Sequence, residues 1–203
     1  MNMRKAVFLD KDGTLINDVP FNVDPERITL SCKAAEGLRL LSQLGYSLVV
    51  VSNQPGVAMG YFEESDLNRV WQRLDDLLQP EGVQLVDYYY CPHHPVGAIK
   101  NLAMDCDCRK PLPGMLLQAA EDHGIDLASS WMIGDILHDI EAGRRAGCKT
   151  VLIDNGNETE WEVSPMRMPD LTAADLHDAA IQIATSQQQW FNRAGAIRET
   201  RVV

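Results

Sequence analysis

Residues 5–18 read KAVFLDKDGTLIND. The apolar run AVFL (6–9) stops at an aspartate, and an acidic turn follows at once. A short, uninterrupted apolar run bounded by turn residues predicts a strand buried on both faces, as in a parallel sheet. The turn carries Asp10 and Asp12 two residues apart, then Gly13 and Thr14. Paired carboxylates at a strand end offer metal ligation, nucleophilic attack or acid–base work. An Asx-type turn is the purely structural alternative for the same residues.

Outward from this stretch the chain alternates strand and helix. Further strands are expected at SLVVVSN (47–53), VQLVDYYY (83–90), SWMIGD (130–135) and KTVLID (149–154). Between them, AAEGLRLLSQLG (34–45) spaces Leu38, Leu41 and Leu44 as one helical face, and DLNRVWQRLDDLL (66–78) does the same with Leu67, Val70, Trp71, Leu74, Leu77 and Leu78. GMLLQAAEDHG (114–124) and DIEAGRRAG (139–147) predict shorter helices, and a terminal helix is expected from about Thr172. The pattern implies an α/β fold, a doubly wound, Rossmann-like parallel sheet covered on both faces. Residues 1–186 are expected to form a single domain, with 187–203 a polar tail of no assigned role.

In open sheets of this kind ligands bind beyond the carboxyl ends of the strands. Four segments begin there: Asp10, Ser52, Cys91 and Asp135. Ser52 and Asn53 offer neutral donors suited to phosphoryl oxygens, although SNQPG is also ordinary turn composition. Arg109 and Lys110 precede a turn stiffened by Pro111 and Pro113, and an anionic substrate needs such cations in a chain of net charge −11. Asp135, with Asp139 four residues on, offers a further magnesium ligand or a helix cap. Each segment is ordinary alone; together, in this order, they read as one site.

Composition narrows the partners. The 203 residues are 45% apolar, yet no apolar run approaches the roughly 20 residues that cross a bilayer. The first residues lack the features of a signal peptide, so the expected location is cytoplasmic, with no membrane partner. Net charge −11 and 6% aromatic residues speak against nucleic-acid binding. Five cysteines suit no disulfide framework. Cys91, His93, Cys106 and Cys108 instead form a C-x-H…C-x-C set whose three thiolates and one imidazole satisfy a closed tetrahedral zinc site, with His93 favoured over His94. Zinc there would staple the loop 91–108 rather than take part in chemistry.

D-x-D-G-T after the first strand, a hydroxyl–Asn pair after the second, Lys110 before a proline turn and G-D-x-x-x-D after the fourth resemble the haloacid dehalogenase superfamily of phosphohydrolases, over about residues 5–155. The resemblance implies an aspartyl-phosphate mechanism with Asp10 as nucleophile and Asp12 as general acid and base. Mg²⁺ would be held by Asp10, the Asp12 main-chain carbonyl and Asp135, while Ser52 and Lys110 would stabilise the transferring phosphoryl group. Only about forty residues separate Asp10 from Ser52, too few for a large cap domain.

YYCPHHP (89–95), CDCRKPLPGML (106–116) and SNQPGVAMGYF (52–62) are similar, more narrowly, to the D-glycero-D-manno-heptose-1,7-bisphosphate phosphatases. That family removes the 7-phosphate on the route to activated heptose for bacterial lipopolysaccharide. By this resemblance the partner is a small sugar phosphate, Arg109 assists its recognition, and Asp18, Val19, Pro20 and Phe21 line the sugar site with Ser52, Asn53, Gln54 and Pro55. A monomer is expected. Lys11 and Ser52 stand where the family more often has arginine and threonine, and Glu158–Pro169 matches nothing in it. Histidinol-phosphate phosphatases share the Asp pair and zinc loop but with a shorter interval before Cys-x-Cys. A receiver-like phospho-accepting domain shares the clustered aspartates but lacks a built-in acid and a zinc loop.

Overall fold

The computed structural model describes residues 3–199, with side chains described through Gln187. Strands β1 (Ala6–Leu9), β2 (Ser47–Asn53), β3 (Asp87–Cys91), β4 (Trp131–Gly134), β5 (Lys149–Ile153) and β6 (Leu171–Ala173) form one wholly parallel sheet. Their order is β3-β2-β1-β4-β5-β6. The helices are α1 (Ala34–Gln43), α2 (Pro55–Met59), α3 (Leu67–Leu78), α4 (Gly114–His123), α5 (Leu137–Ala146) and α6 (Leu176–Glu199). The order reverses between β1 and β4, so the crossovers diverge there and leave a crevice above the carboxyl ends of these two strands. Leu9 lies opposite both Val50 and Ile133, and the Asp10 N–H donates to the Ile133 carbonyl at 2.9 Å.

Both faces of the sheet are buried, which is why its strands read as apolar runs. Successive residues alternate sides. Val7, Leu9, Val50, Ile133 and Val151 face one core with Leu38 and Leu41 of α1, Leu74 of α3 and Ile183 of α6. Ala6, Phe8, Val49, Val51 and Met132 face the other with Met115 and Leu116 of α4 and Ala142 of α5. Each large apolar side chain so buried contributes about 1.5–3 kcal/mol.

The structure differs from the sequence expectation at four elements. The ladder of β3 begins only at Asp87: Val83 and Leu85 bury their side chains on an extended approach, and the Val86 N–H reaches the Leu48 carbonyl at 2.7 Å before pairing starts. Leu171–Ala173, expected to run into the terminal helix, forms β6 beside β5. The helix starts later because Asp175 and Asp178 cap it, accepting from Asp178 N at 2.8 Å and Ala174 N at 3.0 Å. α2, a single turn opened by Pro55, was not expected. The backbone of α6 continues past Ser186 to Glu199, while residues 200–203 of the expected tail lie outside the described residues. No helix among the described residues is long and apolar enough to cross a membrane.

Candidate active site

The first turn beyond β1 sends its two carboxylates to different partners. Asp10, 7% exposed, points into the crevice, where its Oδ1 accepts from Lys110 Nζ at 2.5 Å. The same ammonium donates to the Val51 carbonyl at 2.9 Å and pairs with Asp139 Oδ1 at 2.6 Å. Lys110 reaches this place because its main chain is clamped to β2: Asn53 accepts from Lys110 N at 3.0 Å and donates to Lys110 O at 3.1 Å. Asn53 thus spends its amide on holding the lysine segment.

Asp12 turns the other way. Its Oδ1 accepts from Lys11 Nζ at 2.7 Å and its Oδ2 from Gln54 Nε2 at 3.1 Å. Gln54 also donates to Ser52 Oγ at 2.8 Å, so one buried amide links the second acid of the turn to the hydroxyl at the end of β2. Lys11 is 1% exposed, a buried cation that the sequence marked only as a departure from its family.

Asp135, at the end of β4, accepts from Thr14 Oγ1 at 3.2 Å and from Asn157 Nδ2 at 2.7 Å. With Asp10 and Asp139 it forms a buried group whose ligand oxygens lie within 4.8 Å of one another. Burial pushes Asp10 well above the usual carboxylate range, with Asp139 and Asp135 adding to it and Lys110 opposing. Asp135 rises to about 6, through burial first and then its neighbour Asp139. Lys110 is held above the usual lysine range despite burial, because Asp10 and Asp139 favour its charged form. Three buried carboxylates facing one ammonium leave a surplus of negative charge that a hard divalent cation fits. Asp139, written in sequence as a possible ligand or cap, is fully buried at the back of this group.

Gly13 is required here. Its φ of +85° is left-handed, and a Cβ at this position would stand 2.0 Å from Asp135 Oδ2. Alongside, a cleft of about 360 Å³ is lined by Gly13, Thr14, Asp18 and Asn157, among others. Asp18 lies at the rim, its carboxyl lifted by partial burial and then by Asp12. Val19 and Pro20 follow it outward, and Phe21 sits 51% exposed at φ +55°, edge-on to Tyr61 with 4.8 Å between ring centroids. Pro55 starts α2 directly below Gln54.

The cysteine–histidine loop closes on one point. Cys91 Sγ is 3.4 Å from Cys106 Sγ and 3.1 Å from Cys108 Sγ, and His93 Nδ1 is 3.3 Å from Cys108 Sγ and 3.7 Å from Cys91 Sγ. Tetrahedral zinc with bonds of about 2.0–2.3 Å puts its donors about 3.4–3.8 Å apart, so the four atoms fit zinc with small adjustment. All five cysteines are free thiols, and Cys108 is drawn down to about 5, first by its contact with Cys91. His94 stays outside, its Nδ1 accepting from Val96 N at 3.3 Å. Arg109 follows directly, its guanidinium donating to the His93 carbonyl at 3.4 Å, which ties the loop to the start of the lysine segment.

Residues 107–179 match the HAD-hydrolase-like family. The chain is 44% identical to a D-glycero-beta-D-manno-heptose-1,7-bisphosphate 7-phosphatase of Pasteurella multocida, over 76% of this chain and 84% of that one. It is 38% identical to a D-glycero-alpha-D-manno-heptose-1,7-bisphosphate 7-phosphatase of Photorhabdus laumondii, over 78% and 87%. Among solved structures, the D,D-heptose 1,7-bisphosphate phosphatase of B. bronchiseptica, complexed with magnesium and phosphate, superposes with a TM-score of 0.73 at 28% identity, covering 90% of this chain and 99% of that one.

Proposed function

Because the chain belongs to the D-glycero-D-manno-heptose-1,7-bisphosphate 7-phosphatase family of HAD-like hydrolases, we propose that it hydrolyses the 7-phosphate of that sugar bisphosphate. The observation that carries the reading is the pairing of Asp10 with Lys110 beside the buried Asp135–Asp139 group, at the point where the strand order reverses. In this reading Mg²⁺, held by Asp10, Asp135 and the Asp12 main-chain carbonyl, offsets the charge of the phosphoryl oxygens.

The chain's own residues then divide the work. A carboxylate oxygen of Asp10 attacks phosphorus as the bond to the sugar oxygen breaks, leaving an acyl phosphate on Asp10. Asp12 gives its proton to the departing alkoxide, then takes one from water as that water attacks the same phosphorus. Phosphate leaves and the Asp10 carboxylate is restored. Gln54 keeps Asp12 oriented through its bond to Ser52. Lys110 and Ser52 face the transferring group, and the charge of Lys110 opposes the upward push of burial on the Asp10 carboxyl. Arg109 recognises the substrate on the wall that the zinc loop stiffens, with Asp18–Phe21 and Ser52–Pro55 around the sugar. Zinc, held by Cys91, His93, Cys106 and Cys108, is structural. The reacting unit is residues 1–186, acting as a monomer in the cytoplasm.

The test is phosphate release with Mg²⁺ from heptose 1,7-bisphosphate and from histidinol phosphate, with the position of cleavage read by phosphorus NMR. A hundredfold or greater kcat/KM for the heptose, with loss of the 7-phosphate, is expected. Preference for histidinol phosphate would overturn the substrate while leaving the catalytic assignment standing.

A further inference from the structure

The segment after β5 begins where the family resemblance ends, and three of its residues reach three separate parts of the site. Asn155 Nδ2 donates to the Gly13 carbonyl at 2.7 Å, tying the segment to the acidic turn after β1. Asn155 Oδ1 accepts from Asn157 N at 3.1 Å and thereby fixes the backbone of Asn157. Asn157 Nδ2 donates to Asp135 Oδ2 at 2.7 Å. Glu158 Oε2 accepts from Leu137 N at 2.6 Å, at the start of the helix that carries Asp139.

Asp135 is therefore held from both sides by neutral donors, the Thr14 hydroxyl on one oxygen and the Asn157 amide on the other. A cationic partner at either place would cancel the charge that attracts a metal. A neutral donor fixes the plane of the carboxylate, leaves that charge intact and leaves each oxygen a free lone pair. Partners that orient a ligand in this way commonly change metal affinity by ten- to a hundredfold. Asn157 also packs where a Gly13 side chain would go: its Nδ2 would lie 2.5 Å from a Cβ there.

We propose that Asn157, pre-set by Asn155, is a positioning residue that holds Asp135 in the orientation required for divalent-cation binding. This rests on the Mg²⁺ reading above. Its reach is confined to the metal, so removing it should raise the Mg²⁺ requirement rather than block the reaction.

The experiment compares wild type with Asn157→Ala and Asn157→Ser, the serine being too short to span the contact yet leaving a smaller void. Mg²⁺ binding is measured calorimetrically without substrate, Mg²⁺ half-saturation is measured in phosphate release, and melting is measured without added Mg²⁺. Both variants are expected to bind Mg²⁺ about tenfold or more weakly, with turnover recovered by excess Mg²⁺. Variants that melt as wild type without added Mg²⁺ and still bind Mg²⁺ within twofold of it would overturn the proposal alone. Weakened binding that excess Mg²⁺ does not recover, and that tracks a fall in melting, would also overturn it by showing a general structural role. A wild-type protein that neither binds nor needs Mg²⁺ would overturn the metal reading itself, and the brace with it.

Discussion

Asp10 and Asp12 are the same side chain two residues apart, and the fold gives them opposite surroundings. Asp10 is enclosed with Lys110 and two further carboxylates, whereas Asp12 stays in reach of Lys11 and Gln54 at the mouth of the crevice. Such division lets one carboxylate act as nucleophile while the other moves protons. Asp10→Asn should abolish turnover. Asp12→Asn should cut turnover of alkyl phosphates by about 10²–10⁴-fold, the usual worth of general acid–base catalysis, and cut release of a good aryl leaving group much less. Rates on a sugar phosphate and an aryl phosphate, measured side by side, check this. An equal loss on both would remove Asp12 from the acid role.

The loop 91–108 leaves the end of β3 and returns to the crevice with no strand or helix of its own. Its polar composition cannot supply a core, so on the proposed reading its order depends on a metal held by Cys91, His93, Cys106 and Cys108. Withdrawing zinc with a strong chelator, or replacing Cys106 by serine, should lower the melting temperature by several degrees, since about 1 kcal/mol moves a domain of this size by about 2–4 °C. Turnover should fall only as the fold loosens, because Arg109 is bonded to this loop and Lys110 follows it directly in the chain. Melting and activity followed through one chelator titration check the order of events. At this scale the sequence was legible wherever one short segment held the whole signal. Ala6–Leu9 and Ser47–Asn53 form strands at the bounds their apolar runs imply, and the clustering of Cys91, His93, Cys106 and Cys108 is legible because cysteine and histidine pair at close spacing. β6 was not, since Leu171–Ala173 is three residues long, with Leu171 half-buried and Thr172 exposed. Asn157 was not, because its partner lies 22 residues away and an isolated asparagine in a polar loop has no period. Asp139 was visible as the last letter of G-D-x-x-x-D, but its pairing with Lys110 exists only once β2, β4 and the lysine segment converge.

At the scale of the whole molecule, one buried carboxylate, Glu141, is held by two arginines from different segments. Burial alone would lift Glu141, but hydrogen bonds from Arg167 at 2.7 Å and from Arg145 at 2.6 Å hold it below the usual carboxylate range. A depressed carboxyl stabilises the fold fully above its unfolded value of about 4.3 and ceases to do so as pH falls through its folded value. Glu141→Gln should therefore destabilise by about 1–3 kcal/mol at neutral pH and show a shallower loss of melting temperature between neutral and strongly acidic pH, as melting curves across that range would record. At the other end of the chain, Leu176, Ala179, Ala180 and Ile183 carry the contact of α6 with the core. A chain ended after Gln187 should accordingly keep its turnover, with melting and phosphate release as the check.

Leu9 and Ile133 are locked opposite one another one residue before the chain turns upward on β1 and two before it does so on β4. The separation of the Asp10 and Asp135 main chains is therefore inherited from the roughly 4.8 Å pitch of neighbouring strands. That makes the sheet a chassis. On the proposed reading, a different rim at 18–21, or a substitution at Arg109 alone, should alter the appetite for leaving groups while the cutting step underneath stays in tune.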